Sequence, residues 1–266
     1  MMWRGWISAM LAIGIGAGCA LALTRGAEAA GRTTRLLVFV GSASKPPALE
    51  AKAAYEKLHP GVAIDMTFGG SGTLLNQMML EHAGDIYMPG SDDFMDKAQK
   101  QKVVIPKTRK IVAYLVPVIS VQRGNPKNIR SVEDLGRPNI KVGLARAGAV
   151  CLGDVSDEIL RKAGVEAAVK KNVVTYTASC EQTQKLVELG EVDAIIGWDA
   201  FKFWAPDKID NVKIPAKLIR VRNVPAAVAV YSKQQKAAAD FIAFLTSKRG
   251  NTIFTRYGYS VKPPKP

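Results

Sequence analysis

The chain has 266 residues, of which 48% are hydrophobic and 23% charged, a composition typical of a soluble globular protein with room for one large domain or two small ones. Its net charge of +14 would suit a nucleic-acid ligand. However, the lysines and arginines are scattered, with no long basic run and no basic–aromatic motif. We therefore expect no nucleic-acid partner. The positive charge either attracts anionic ligands or a membrane surface, or belongs to a solvated face of the protein.

The first 29 residues are typical of a secretory signal peptide. Arg4 gives a basic start, residues 7–23 are almost wholly apolar, and Ala27-Glu28-Ala29 has the small-x-small pattern of a cleavage site. We predict cleavage near Ala29 and a periplasmic mature protein. A transmembrane anchor is the alternative, for which the apolar run is short. Because of Cys19, a lipoprotein is a second alternative, although the leucine that usually precedes such a cysteine by three residues is missing.

After this leader, short β-type runs alternate with helical runs as far as residue 101. The predicted strands are 36–40, 62–68 and 85–88, and the predicted helices are 48–58, 73–82 and 92–101. Alternation with short loops predicts a parallel sheet that is covered by helices on both faces.

The apolar run 108–122 interrupts this pattern and contains Pro117. Proline disfavours one central strand, so we predict a strand that leaves one domain and enters another. The later run 217–232 contains Pro225 and resembles the return crossing. The other predicted strands are 139–144, 173–176 and 192–196, and the other predicted helices are 153–163, 181–189, 235–245 and 250–257. The predicted domains are therefore 30–116 plus 222–266, and 117–221.

Two glycine- and serine-containing turns follow predicted strands in the first half of the chain: GSASKP at 41–46 and FGGSGT at 68–73. A turn that opens onto a helix leaves backbone N–H groups free and adds the positive end of the helix dipole, which suits an anion. We expect a small anion to bind between the two α/β domains, at the carboxyl ends of the strands. Ordinary helix N-capping is the alternative role for Ser42 and Ser71.

Over residues 34–261 the chain resembles the periplasmic substrate-binding proteins of ABC transporters, and among them the molybdate/tungstate-binding branch. The motifs that carry the resemblance are VFVGSASKP (38–46), FGGSGTLLNQM (68–78), GDIYMPGSDDFMDKA (84–98), VCLGDVSDEILRKAG (150–164), LVELGEVDAIIGWDA (186–200) and FTRYGY (254–259). The resemblance implies an α/β protein of the type II periplasmic-binding-protein fold, with two domains, a ligand cleft and two crossover strands. It also implies capture of a tetrahedral oxyanion and its delivery to an ABC permease.

In that family the oxyanion is held by neutral hydroxyl and N–H donors. In the first domain the matching positions are Ser42, with Ser44 as a second choice, and Gly70 and Ser71. In the second domain they are Leu152, which has Cys151 beside it, then either Cys180 or Glu181, and finally Trp198. Trp198 stands where tyrosine is usual. An indole N–H donates one hydrogen bond and accepts none, which suits a fully ionised oxyanion such as molybdate or tungstate.

Without the leader the chain retains two cysteines, Cys151 and Cys180. Both fall beside backbone positions that the family brings to the same oxyanion, so the resemblance implies that they are neighbours. We predict that they form a disulfide in an oxidising compartment. Thiol contacts with a soft ligand and two inert core thiols are the alternatives.

Catalysis and metal binding find no support in the sequence. There is no Ser/His/Asp set and no paired acid, and His59 and His82 are too few and too far apart for a metal cluster. We predict a monomeric binding protein without a cofactor. The alternatives are a binding protein for phosphate, sulfate, or an organic phosphate or carboxylate, a surface adhesin or antigen of this fold, and an exported enzyme. Glu181 and Asp199 are structural groups or, alternatively, ligands of an ion with expanded coordination.

Overall fold

The computed structural model describes residues 33–264, and the predicted signal peptide over 1–29 lies outside them. The strands are β1 (Thr34–Gly41), β2 (Val62–Gly69), β3 (Ile86–Met88), β4 (Lys110–Leu115), β5 (Pro117–Gln122), β6 (Val142–Ala145), β7 (Val173–Thr177), β8 (Ala194–Trp198), β9 (Ile209–Lys213) and β10 (Arg222–Val228). The α-helices are α1 (Lys45–Leu58), α2 (Ser71–Glu81), α3 (Asp92–Lys100), α4 (Cys151–Lys162), α5 (Glu166–Lys171), α6 (Cys180–Glu188), α7 (Phe201–Trp204), α8 (Gln235–Leu245) and α9 (Lys248–Arg256).

The strands form two five-stranded sheets of the same topology, in the orders β2-β1-β3-β10-β4 and β7-β6-β8-β5-β9. The sequence pattern predicted a wholly parallel sheet, and this prediction is wrong for both sheets. In the first sheet β10 runs antiparallel to both of its neighbours, and in the second β5 does so. The reason is that each of these strands enters its sheet from the other one. It starts where the parallel strands end and runs in the opposite direction.

The chain changes sheets at the two proline-containing segments. β4 ends at Leu115 in the first sheet and β5 begins at Pro117 in the second, so the predicted break at Pro117 is confirmed. Pro225 lies at an irregularity in the pairing of β10 with β4, since proline has no N–H to donate to a ladder. We call the part built on the first sheet lobe 1 and the part built on the second sheet lobe 2. The domain bounds given above remain a prediction.

Four helices that follow parallel strands begin earlier than the hydrophobic pattern predicts, and α1 is one of them, with its start at Lys45. α2 starts at Ser71, α4 at Cys151 and α6 at Cys180, so each of these residues lies in the first turn of its helix. Small residues and glycines add little to an apolar periodicity, and a prediction from periodicity therefore misses that turn. Within residues 33–264 no helix has the length and apolar character needed to cross a bilayer.

α2 illustrates how the helices attach to the sheets. It packs against β1 and β2. Leu74 and Met78 face the sheet and are buried, whereas Leu80 points to solvent. Burial of one apolar stripe is the main source of stability for such a helix. The packing of α2 also fixes the position of its first turn at the end of β2.

We expect Leu74→Ala to lower the free energy of unfolding by about 2–5 kcal/mol, because the change removes buried apolar surface and leaves a cavity. The control is Leu80→Ala on the same helix, where the side chain is 82% exposed, and a change below about 0.5 kcal/mol is expected. Urea denaturation followed by circular dichroism measures both. Equal losses in the two variants would contradict the packing described for α2.

Candidate functional site

The turns that follow β1, β2, β6 and β7 meet in one cleft between the lobes. They contain the short 3-10 turn Ser42–Ser44 and the first turns of α2, α4 and α6. Within the described residues no side chain caps the first turn of α2 or of α4. The positive ends of three helices, with N–H groups that lack intrahelical partners, therefore point into the same space.

Ser42 connects the two lobes through its hydroxyl oxygen. Its Oγ accepts a hydrogen bond from the Cys180 N–H at 3.0 Å and a longer one from the Glu181 N–H at 3.4 Å. A hydroxyl that accepts can still donate, so the Ser42 proton remains available to the cleft. In this arrangement the Cys180 N–H, which was predicted to bind the anion, is bonded to Ser42.

Ser71 is held in the same way within lobe 1. The Gly90 N–H donates to Ser71 Oγ at 3.0 Å, and the Tyr87 hydroxyl donates to the Ser71 carbonyl at 2.7 Å. The Ser71 hydroxyl also contacts the Cys151 thiol. These contacts fix the serine oxygen and leave its proton directed towards lobe 2.

The predicted disulfide between Cys151 and Cys180 is not formed, and this prediction is corrected here. Both residues are buried free thiols in the described part of the chain. Each thiol shifts the pKa of the other, so they are the neighbours that the resemblance implied.

Several of the predicted oxyanion donors affect the Cys180 thiol. The Cys151 thiol, the Trp198 indole, the Leu152 N–H and the Ser42 hydroxyl lower the pKa of Cys180, while burial acts in the opposite sense. The same contact with Cys180, together with burial, raises the pKa of Cys151. Trp198 is fully buried, and its Nε1 has no partner at ordinary hydrogen-bond distance among the described residues. Cys180 therefore loses its proton more readily than Cys151.

The sequence analysis considered Ser44, Glu181 and Asp199 as ligand residues, and the structure gives their side chains other surroundings. Ser44 is buried, and its Oγ has no hydrogen-bond partner within residues 33–264. The Glu181 carboxylate binds Lys45 Nζ at 2.9 and 3.0 Å across the cleft, so its side chain is engaged by a cation. Asp199 Oδ1 accepts from the Val116 N–H at 3.1 Å and the Ala200 N–H at 3.0 Å, which is a structural role at the crossing between sheets.

The lobes are closed over the cleft. The Gly72 N–H in the first turn of α2 donates to the Ala149 carbonyl of lobe 2 at 2.9 Å. Arg222, which is 3% exposed at the start of β10, pairs with Asp93 of lobe 1 and with Glu158 of lobe 2. Sequence reasoning missed these contacts, since residues such as Lys45 and Glu181 are 136 positions apart and carry no local signal.

Gly70→Ala is expected to hold the lobes apart. A Cβ at this position would lie 3.0 Å from the Ala178 carbonyl oxygen and closer still to that of Ala149, both in lobe 2. The backbone of Gly70, with φ −66° and ψ 140°, suits alanine, so the effect would be steric. Small-angle X-ray scattering should show a larger radius of gyration than for the parent protein.

The control for this change is Gly61→Ala, because no described atom lies within 4 Å of a Cβ built there. This variant should scatter like the parent protein. A Gly70→Ala protein as compact as the parent would contradict the closed contact described here.

Asp199 is expected to make stability depend on pH. Burial raises the pKa of Asp199 to about 6, although the two backbone N–H groups act against this rise. Between pH 4 and 6 the folded state therefore binds the proton more tightly than the unfolded state, and stability falls as the pH rises. The reference is Asp199→Asn, whose amide oxygen can accept the same two bonds. Above pH 6 the parent protein should have lost up to about 3 kcal/mol of its free energy of unfolding relative to this variant. Urea denaturation from pH 4 to 7 measures it, and parallel profiles would contradict the prediction.

Comparison with known proteins is consistent with this architecture. The molybdate-binding protein ModA of Mycobacterium tuberculosis is 23% identical to this chain over 259 residues, which is 96% of each protein. The Azotobacter vinelandii periplasmic molybdate-binding protein superposes with a TM-score of 0.75 at 15% identity, covering 86% of this chain and all of that one. The sulfate-binding protein SubI of Mycobacterium tuberculosis superposes with a TM-score of 0.74 at 19% identity, covering 86% and 88%.

These structural similarities confirm the predicted type II periplasmic-binding-protein fold. The sequence profile of the bacterial extracellular solute-binding proteins matches residues 36–260, which is most of the chain and includes every turn of the cleft. This protein therefore belongs to the family of bacterial extracellular solute-binding proteins.

Proposed function

We propose that the protein captures a tetrahedral oxyanion, with molybdate or tungstate as the first choice, and delivers it to an ABC permease in the membrane. The observation that carries this proposal is the convergence of three helix N-termini on one buried cleft with neutral donors. The donor set comprises the Ser42 and Ser71 hydroxyls, the Leu152 N–H and the Trp198 indole. It contains no cationic side chain among the described residues.

Neutral donors suit a dianion for two reasons. Hydrogen bonds to a charged acceptor are roughly twice as strong as those between neutral groups, so four of them can replace much of the hydration of the ion. The helix dipoles add favourable potential without a buried lysine or arginine. Lys45 is the cation nearest to these turns in the sequence of lobe 1, and it is paired with Glu181.

The chemistry of the donors favours a fully ionised anion. The Leu152 N–H and the Trp198 indole N–H can only donate, and one lone pair on each serine oxygen already accepts from a backbone N–H. A phosphate that carries a proton needs an acceptor, whereas molybdate, tungstate and sulfate do not. Sulfate is the second candidate, since a sulfate-binding protein shares the fold.

The proposal also states where in the cell the protein acts. The predicted signal peptide over 1–29 would export the chain, and the mature protein would act as a monomer outside the cytoplasm without chemical change to its ligand. The relatives found are binding proteins, and the family is extracellular. An adhesin or antigen built on this fold would keep the two lobes but would not require an oxyanion.

Isothermal titration with molybdate, tungstate, sulfate and phosphate tests the proposal. We expect binding of molybdate or tungstate, and we expect Ser42→Ala and Ser71→Ala each to weaken it by about 1.5–3 kcal/mol, the usual worth of a hydrogen bond to a charged group. Ser131→Ala, in lobe 2 but outside the four turns of the cleft, is the control and should bind like the parent protein. Binding of none of the four anions would overturn the proposed function.

A further inference from the structure

Each of the two serine turns of lobe 1 is held by the hydroxyl of a buried tyrosine. The Tyr87 hydroxyl donates to the Ser71 carbonyl at 2.7 Å, and the Tyr259 hydroxyl donates to the Ala43 carbonyl. Tyr87 has no exposed surface, and Tyr259 is 2% exposed. Neither tyrosine belongs to the donor set proposed for the oxyanion, so anion binding by itself does not account for these two hydroxyls.

The rings of both tyrosines have apolar surroundings in which a phenylalanine would also fit. Tyr87 lies in β3, opposite Phe39 of one neighbouring strand and Ala227 of the other. Tyr259 packs edge-on against Phe254, with ring centroids 5.5 Å apart. A buried hydroxyl in such a place costs free energy unless it is hydrogen-bonded. What distinguishes tyrosine from phenylalanine at both positions is therefore the bond to the turn.

β3 and the loop after it hold Ser71 at two points. Tyr87 binds its carbonyl, and the Gly90 N–H donates to its Oγ at 3.0 Å. The C=O and N–H of one trans peptide unit are coplanar and point in opposite directions, so the bond to the Ser71 carbonyl also orients the Gly72 N–H. That N–H donates to the Ala149 carbonyl of lobe 2 at 2.9 Å. Tyr87 thus contributes to the position of the serine and to the contact between the lobes.

Tyr259 connects the segment after α9 to the first serine turn. It lies 216 positions from Ala43, whose carbonyl belongs to the 3-10 turn that begins at Ser42. The next residue, Ser260, is fixed to β4, because its carbonyl accepts from the Tyr114 N–H at 2.7 Å. The tyrosine is therefore held from both sides, and its hydroxyl ties the turn to the edge of the first sheet.

Both hydroxyls remain protonated donors at neutral pH. Burial raises the pKa of Tyr87 and of Tyr259 well above the ordinary value for tyrosine, because a phenolate would be poorly solvated in the interior. A protonated tyrosine hydroxyl has one hydrogen to donate. The two bonds to the turn carbonyls therefore persist throughout the neutral pH range.

We propose that Tyr87 and Tyr259 are positioning residues of the anion site, whose hydroxyls hold the Ser71 and Ser42 turns in the geometry that binds the oxyanion. This inference rests on the proposed function and adds two residues that set its affinity without being ligand donors. It also gives a role to the motifs GDIYMPGSDDFMDKA and FTRYGY, which carry the two tyrosines and contribute no donor to the proposed set.

Removal of either hydroxyl should weaken anion binding. A donor that is already in place binds without the cost of being ordered when the ligand enters, and a loosened turn loses that advantage. Tyr87→Phe and Tyr259→Phe keep the ring and remove only the oxygen. We expect each change to weaken the binding of molybdate and tungstate by about three- to tenfold, which corresponds to one hydrogen bond.

Isothermal titration of each variant in two serine backgrounds tests whether the effect passes through the turn. Tyr87→Phe should lose at least half of its effect on the binding free energy in a Ser71→Ala protein, because the oxygen that it positions is absent. It should keep its full effect in a Ser42→Ala protein. Tyr259→Phe should show the opposite pattern. A general loss of stability would act equally in both backgrounds, and equal effects would overturn the inference.

The matched control is Tyr55→Phe. Tyr55 is another buried tyrosine of lobe 1, and its ring packs against Phe241 of α8. This variant should bind like the parent protein. Replacement of Tyr87 or Tyr259 by 4-aminophenylalanine returns a donor to the ring and should restore most of the affinity. A lack of rescue would overturn the inference, and so would a phenylalanine variant that fails to fold, since its hydroxyl would then serve stability.

The parent protein separates this inference from the proposed function. If the parent binds none of molybdate, tungstate, sulfate and phosphate, the proposed function is overturned, and the positioning role falls with it. If the parent binds molybdate or tungstate and both phenylalanine variants bind as tightly, only the positioning role is overturned.

Discussion

The first turns of α2, α4 and α6 leave backbone N–H groups without intrahelical partners, and the fold brings all three turns into one buried cleft. Such groups are costly to bury unless an acceptor reaches them. The molecule supplies some acceptors itself, the Ala149 carbonyl for Gly72 and the Ser42 oxygen for Cys180. The Ser179 hydroxyl oxygen accepts from the Gln182 N–H in the first turn of α6. The need to satisfy these donors links the closure of the lobes to the proposed anionic ligand.

Closure of the lobes depends more on close backbone approach than on charge. The Lys45–Glu181 pair is more than one third exposed on both sides, and such pairs contribute little to stability. The hydrogen bond from Gly72 to Ala149 requires that the backbones of the two lobes touch, which the glycines at 70 and 72 permit. Arg222 is different because it is buried at the crossing strand and binds acids of both lobes. It therefore ties the return crossing to the closed arrangement.

Neighbouring cysteines in a cleft of helix N-termini have unusual electrostatics. The helix ends and the indole stabilise a negative charge on Cys180, while burial opposes it. An external dianion would use the same groups for the same reason. Cation binding by the thiols is disfavoured in this potential, since three positive helix ends point at the pair.

The sequence by itself determined the alternation of strands and helices, the break at Pro117 and the positions of the two serine turns, because these depend on local periodicity, on proline geometry and on motif order. It did not determine the antiparallel strand in each sheet, the earlier helix starts or the state of the two cysteines. Those features depend on contacts between residues far apart in the chain. Lys45 with Glu181, Gly72 with Ala149, and Cys180 with Ser42 meet only when the lobes close, and no local pattern records the distance between them.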